Sequence, residues 1–204
     1  MNRFALALTG TLLAGAAVLG LSTKTDASPA ATAPAMADAF TVDAVHSSVV
    51  FRVKHQNVAY FYGRFNKVSG SFNLDEANPA ASSLDITIDA ESVDTANEGR
   101  DKHLRTADFF SAKEFPTVTF KSTSAESKGE KQYLVKGDLT FRGVTKPVEV
   151  TVTDTGRGAG RGGMKIAGFE TMFIIKRSEY GMTYGKDSLG DDVTVYVSLE
   201  GGMK

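Results

Sequence analysis

From Phe40 onward the apolar residues recur at every second position, the period of a pleated strand whose side chains alternate between two faces. In the stretch 47–55 the odd positions are Ser47, Val49, Phe51, Val53 and His55, whereas Ser48, Arg52 and Lys54 fall on even ones. Such a strand has one dry face and one wet face. Phe61, Gly63 and Phe65 share one parity, and Val68, Gly70, Phe72 and Leu74 take the opposite one. The slip between Phe65 and Val68 predicts a bulge or bend, a device that curls a sheet toward closure.

The same alternation returns down the chain. Leu84, Ile86, Ile88 and Ala90 alternate with Asp85, Thr87 and Asp89, and Val118 and Phe120 with Thr117, Thr119 and Lys121. Tyr133, Val135, Gly137, Leu139 and Phe141 form another set, followed by Val148, Val150 and Val152. Phe169, Phe173 and Ile175, then Val193, Val195, Val197 and Leu199, complete the series. This predicts an all-β protein of about eight strands. A sandwich would show the same period; an antiparallel barrel is preferred because closing one sheet on itself removes its edges.

One segment breaks the pattern. Asn97 to Phe110 is charged, with apolar residues only at its end. Thr95 or Asn97 can cap it, Asp101 and Arg105 are spaced for an i,i+4 pair, and Pro116 prevents its continuation. The reading is a short helix across one end of the barrel, with Leu104, Phe109 and Phe110 facing in as a lid.

An eight-stranded barrel is either filled by side chains or just wide enough for one ligand. The predicted inner face carries Val49, Phe51, Val53, Phe65, Phe72, Ile86 and Ile88 from its first strands, and Val118, Phe120, Leu139, Phe141 and Phe169 from its later ones. Small residues (Ser47, Gly63, Gly70, Ala90 and Gly137) stand among them, but a filled barrel also mixes small and large residues. The inner face has hardly any ionisable group, so a ligand held there is a hydrocarbon. No catalytic residues are assigned.

The N-terminus adds a targeting signal. Arg3 precedes an uncharged run from Phe4 to Leu21, and small-residue cleavage candidates follow at Ala35-Met36-Ala37 and Thr25-Asp26-Ala27. Residues 1–37 are therefore read as signal peptide and start of a Pro/Ala/Thr-rich linker, and 38–204 as the folded domain. Near-neutral charge gives no reason to expect nucleic acid. The lack of any cysteine excludes disulfides, thiol catalysis, an acylated cysteine and cysteine-based metal sites.

Other chemistries fail on spacing. His46 and His55 lie at opposite ends of one strand, about 30 Å apart at 3.3 Å per residue, and no H-x-x-x-H spacing occurs, so no metal site is assigned. Asp43, His46 and Ser47 resemble a triad in composition alone, since strand neighbours point to opposite faces. Gly156 to Gly163 looks like a phosphate loop but has no helix after it and reads as a hairpin loop. His55 and His103, with Arg64, Arg100, Arg105 and Arg177, are candidates for holding a polar head group at a rim. Ion pairing with Glu98, Asp101 or Asp108 is the plainer role for the arginines.

The ordered blocks resemble the YceI-like family, also described as polyisoprenoid-binding. Asp43, His46-Ser47, Val49, Phe51, Val53 and His55 match its D-x-x-H-S-x-V-x-F-x-V-x-H opening. Gly63-Arg64-Phe65, Ser69-Gly70 and Val93-Asp94-Thr95 follow, then Asn97-Glu98 through Asp108-Phe109-Phe110 match N-E-x-R-D-x-H-L-x-x-x-D-F-F. Phe115-Pro116, Gly137-Asp138-Leu139-Thr140, Arg142-Gly143-Val144-Thr145, Arg177-Ser178-Glu179-Tyr180-Gly181-Met182 and Leu189-Gly190-Asp191 complete the series. Tyr180 stands where the family usually has Phe, and Gly99 where it has a long polar residue, which costs about 1 kcal/mol in a helix.

The resemblance implies an extended, lipocalin-like eight-stranded barrel with a polyisoprenoid or isoprenoid quinone tail inside. It also implies a periplasmic or secreted location and no established enzymatic activity. The expected ligand is an isoprenoid lipid and no cofactor is expected. Transient membrane contact for lipid loading and a homodimer are both compatible with this reading. Two alternatives stay open: an enzyme or electron-transfer partner acting on a bound quinone, and a stress-response protein with a filled interior.

Overall fold

The computed structural model describes residues 39–203, so the predicted signal and linker, residues 1–37, lie outside the described residues. Eleven strand segments form one antiparallel sheet that closes into an eight-strand barrel. Three of the eight strands are bent and broken in two. These are β1 (Phe40–Val42) with β2 (Ser48–His55), β3 (Ala59–Phe65) with β4 (Val68–Asn73), and β5 (Ser83–Asp89) with β6 (Val93–Asp94). The other five are β7 (Thr117–Gly129), β8 (Gln132–Phe141), β9 (Val144–Ala159), β10 (Lys165–Lys176) and β11 (Leu189–Met203). Both halves of the first strand pair with β11, Thr41 opposite Gly202 and Ser48 opposite Ser198, and β1 also pairs with β4, which closes the ring.

The parity slip in the sequence is the β3–β4 bend at Asn66 and Lys67. Their amides are kept satisfied by Ser92: Asn66 N donates to its carbonyl at 3.0 Å and Lys67 N to its hydroxyl at 3.1 Å. Immediately after the bend, Gly70 adopts φ +128° with the Asp85 carbonyl so close that a β carbon would lie 2.1 Å from it. Only glycine fits a backbone approach this tight. On the far side of the barrel, β9 and β10 separate: their pairing runs from Ala159–Lys165 to Val152–Thr171. The turn Arg177–Tyr180 and the buried Met182 follow β10 there, and Lys146 and Glu179 pair across the split at 3.1 Å.

Three sequence expectations are corrected. The helix α1 is only Glu98–Leu104, capped by Asn97, whose side chain accepts from Arg100 N at 2.9 Å; it ends well before Pro116. Asp101 and Arg105 do not pair. Asp101 is buried and accepts from the Thr95 amide and hydroxyl, a local demand that outbids a solvent-exposed i,i+4 ion pair. The glycine-rich segment is not all loop, because Gly156 to Ala159 continue β9 in register with β10 and only Gly160 to Met164 turn.

The barrel is filled at one end. Phe40 stacks on Phe72 at 5.6 Å, Phe72 meets Phe169 edge-on at 4.9 Å, and Leu74, Tyr133, Val135, Val152 and Leu199 complete a fully buried plug. The other half is hollow.

Candidate functional site

The hollow half encloses a cavity of about 610 Å³, within the range of pockets that bury a small-molecule ligand. Each strand turns its inward parity toward it. β2 supplies Val49, Phe51 and Val53; β3 supplies Phe61 and Phe65; β5 supplies Ile86 and Ile88. Val118 and Phe120 of β7, Leu139 and Phe141 of β8 and Phe169 of β10 continue the wall, and Leu104, Phe109 and Phe110 close over it from the helix and the turn after it. One side is a run of rings. Phe110 lies 5.4 Å from Phe65, 6.1 Å from Phe51 and 5.7 Å from Phe141, which lies 5.7 Å from Tyr180.

Phe72 is the exception among the residues expected to line the interior. It faces inward but belongs to the packed end, with Phe40 and Phe169, and does not touch the cavity. The interior is therefore a pocket with a floor and not a tunnel through the barrel, and a wholly filled interior is excluded. The sequence reading also missed part of the lining. Phe173, Ile175, Val193, Val195 and Val197 were visible as inward parity, whereas Met182, Tyr184 and Ser188 come from an aperiodic loop and Leu189 from the first residue of β11.

The polar groups gather at the mouth, where the β2–β3 turn, α1 and the loop before β11 meet. His55, Arg100 and His103 line the cavity beside Ala59, Tyr60, Tyr184 and Ser188. The Arg100 guanidinium sits over the Phe61 ring at 4.1 Å and donates to the Thr95 hydroxyl and carbonyl, both at 2.8 Å. His103 Nε2 is 2.8 Å from an Asp108 carboxylate oxygen, and its ring packs edge-on against Phe109 and Tyr184, each at 5.1 Å. That trio bridges helix and loop across the mouth.

The remaining head-group candidates are placed elsewhere. Arg64 is exposed on the outer face of β3, because its neighbours Gly63 and Phe65 take the inner parity. Arg105 also lies off the cavity and donates to the carbonyls of Glu91 and Val93 at 2.8 and 2.9 Å. Arg177 borders the cavity, but its guanidinium is buried and spent on four carbonyls, those of Gly190, Met182, Tyr184 and Leu189, at 2.7 to 3.1 Å. Its work is to hold the 182–190 loop against the barrel. None of Arg100, Arg105 and Arg177 takes its main partner from Glu98, Asp101 or Asp108.

His46 is a hydrogen-bonded rim histidine at the opposite end of β2. Its Nδ1 lies 2.8 Å from Asp43 Oδ2, which raises the His46 pKa and lowers that of Asp43. Glu200 brings a third ligand-type atom, all three within 4.8 Å of one another, a juxtaposition the linear spacing did not reveal. Asp43 already accepts from Val45 N and from His46.

The comparisons agree with this architecture. The YceI-like domain matches residues 40–201. "Protein YceI" of Salmonella newport is 39% identical over 156 residues, covering 76% of this chain and 81% of the relative. A "UPF0312 protein" of Pseudomonas aeruginosa is 38% identical over 169 residues, covering 82% and 88%. Among solved structures, Burkholderia cenocepacia BcnA superposes with a TM-score of 0.71 at 30% identity, covering 78% of this chain and 98% of that one. A structure described as a polyisoprenoid binding domain from Saccharophagus degradans shares the fold at TM-score 0.63 and 17% identity, covering 81% and 98%. With one domain match spanning the whole barrel and relatives of this identity over most of their length, the chain belongs to the YceI-like family.

Proposed function

We propose that the barrel binds a long-chain isoprenoid lipid, a polyprenyl phosphate or an isoprenoid quinone, with the tail in the cavity and the head group at the mouth. The observation that carries this reading is the distribution of polarity. A 610 Å³ space is walled by Phe, Val, Ile and Leu; His55, Arg100 and His103 stand at one opening, and the guanidinium of Arg177, which also borders the space, is taken up by backbone carbonyls. Each buried methylene contributes about 0.8 kcal/mol, so about ten supply about 8 kcal/mol, the free energy of a micromolar complex before ordering costs. The floor built on Phe72 and Phe169 limits how much tail is held inside, so a longer chain folds back or projects through the mouth.

At the mouth, Arg100 and His55 receive a phosphate or a quinone carbonyl, the guanidinium as a charged donor and the imidazole as a ring N–H donor. The role is that of a carrier, exported to the periplasm or beyond. Supporting it is the polyisoprenoid-binding description of the structural neighbour, together with the apolar lining. The deciding experiment is mass spectrometry of a solvent extract of natively purified full chain. An isoprenoid in stoichiometric amount is expected. An empty extract, with no uptake of added polyprenyl phosphate or quinone, overturns the proposal.

A further inference from the structure

Seven large apolar side chains are strongly exposed among the described residues, and six of them share one end and one wall of the barrel. Val58, 83% exposed, is the tip of the β2–β3 turn, and Tyr60 and Tyr184 stand at the mouth. Tyr62, Met172 and Ile174 lie on the outer wall below. The pairing register joins them: Ile174, Thr194, Arg52 and Tyr62 form one row across β10, β11, β2 and β3, and Met172, Tyr196 and Val50 lie in the next. Arg52 bridges the rows, its guanidinium 4.3 Å from the Tyr60 ring and 5.8 Å from that of Tyr196. The seventh residue, Val45, stands alone at the far end of β2. A cluster of exposed apolar and aromatic side chains of this kind, with Arg52 and Thr194 between its members, marks an interaction surface, whereas a single exposed residue does not.

Its charge selects the occupant. Arg52, Lys54, Arg100, Lys102 and Lys186 surround or interrupt the patch and make no ion pair among the described residues. The acids nearby that make no ion pair, Glu98, Glu170 and Asp187, are fewer; Asp108 is tied to His103 and Asp192 to Lys176, each at 2.8 Å. Tyr60 and Tyr184 belong to both the patch and the cavity lining, so whatever covers the patch also covers the mouth. We propose that this rim and wall rest on an anionic phospholipid surface, with the cavity mouth turned toward the bilayer.

The proposal rests on the reading of the cavity as a lipid site. Tyrosines seat their rings at the boundary between acyl chains and head groups. The cations are drawn to anionic lipid. Docked this way, a tail passes between hydrocarbon and cavity without crossing water, which removes the hydrophobic cost of transfer. A second copy seated on the same surface would instead seal the mouth.

The chain has no tryptophan, so Val58→Trp places a single, selectively excitable indole on the rim, outside the cavity lining. With phosphatidylcholine vesicles containing about 30% phosphatidylglycerol, its emission shifts to the blue and the full chain co-floats; high salt or pure phosphatidylcholine abolishes both. Replacing Lys54 and Lys186 by Gln weakens vesicle affinity about fivefold each. Val58→Asp, on a turn tip that tolerates change, also weakens it. Absence of the shift and of flotation overturns the proposal, as does a dimer broken by Val58→Asp in protein that ignores vesicles. Isoprenoid in the solvent extract of a protein that ignores vesicles removes the docking surface and leaves the binding reading. Vesicle binding by a protein whose extract holds no isoprenoid, and which takes up no added polyprenyl phosphate or quinone, supports the surface and removes the reading of the cavity.

Discussion

The ring of Phe51 lies against the backbone of Gly63 on the neighbouring strand, so close that a β carbon at 63 would come within 2.3 Å of Cζ. The two are direct cross-strand partners in β2 and β3. Phe120 covers Gly137 from a diagonal position on β7 and β8: a β carbon there would meet its Cζ at 2.6 Å and the Lys121 carbonyl oxygen at 2.5 Å. These glycines therefore do not create the cavity. They let large rings lie flat on the wall and keep clear of the lumen. Gly63→Val is expected to lift Phe51 into the cavity, at about 1–3 kcal/mol of stability. Urea unfolding measures that cost, and titration with a quinone should show weakened uptake in the variant that still folds. Unchanged uptake would show that the ring does not set the pocket's width.

The floor and the wall differ in what a truncation costs. Phe72 is fully buried between Phe40 and Phe169, so Phe72→Ala leaves a void in packed core and costs about 3–5 kcal/mol. Phe120 faces the cavity and is only half-buried, so Phe120→Ala enlarges a space already empty of protein and costs about half as much or less. The converse substitution, Val195→Phe, fills the cavity and is expected to reduce lipid uptake at least tenfold with little change in denaturation midpoint. Equal costs for the two truncations would mean the hollow half is packed in solution.

Alternation told inside from outside along nearly every strand, because the two-residue period is a direct consequence of the pleat. It could not tell height along the barrel axis. That is why Phe72, inward by parity, was placed with the ligand when it belongs to the floor. Parity was sufficient to place Arg64 outside, since Gly63 and Phe65 on either side point in. The fates of Arg105 and Arg177 were not legible, because their partners are backbone carbonyls brought near by long-range folding, and carbonyls leave no mark in a sequence. The mouth residues Tyr184 and Ser188 lie in a loop with no period to read.

Arg177 holds the loop that supplies one side of the mouth, with four carbonyls depending on its fork of donors. A lysine cannot reproduce that planar geometry. Arg177→Lys is expected to cost about 2 kcal/mol and Arg177→Ala about 3–5 kcal/mol, since buried carbonyls lose their partners. Hydrogen exchange should localise the damage, with amides of 182–190 losing protection before the strands do. A rise in exchange spread evenly over the barrel would argue against a local latch.

The Asp43–His46 pair predicts a pH dependence whose sign follows from its two shifts. The hydrogen bond to Asp43 raises His46 above its ordinary value of 6.5. His46 therefore adds stability that is full below 6.5 and lost as pH rises through its raised folded value. Asp43, held below 3.8 first by that same bond and then by the Val45 amide, adds stability that is lost as pH falls below 3.8. The pair thus helps most between about pH 4 and 6.5, and because both groups are solvent-exposed the effect is small. His46→Gln should flatten the thermal midpoint between pH 6 and 8 relative to the parent chain. NMR titration of the imidazole checks the direction: a His46 midpoint at or below 6.5 would show that the bond to Asp43 does not form in solution.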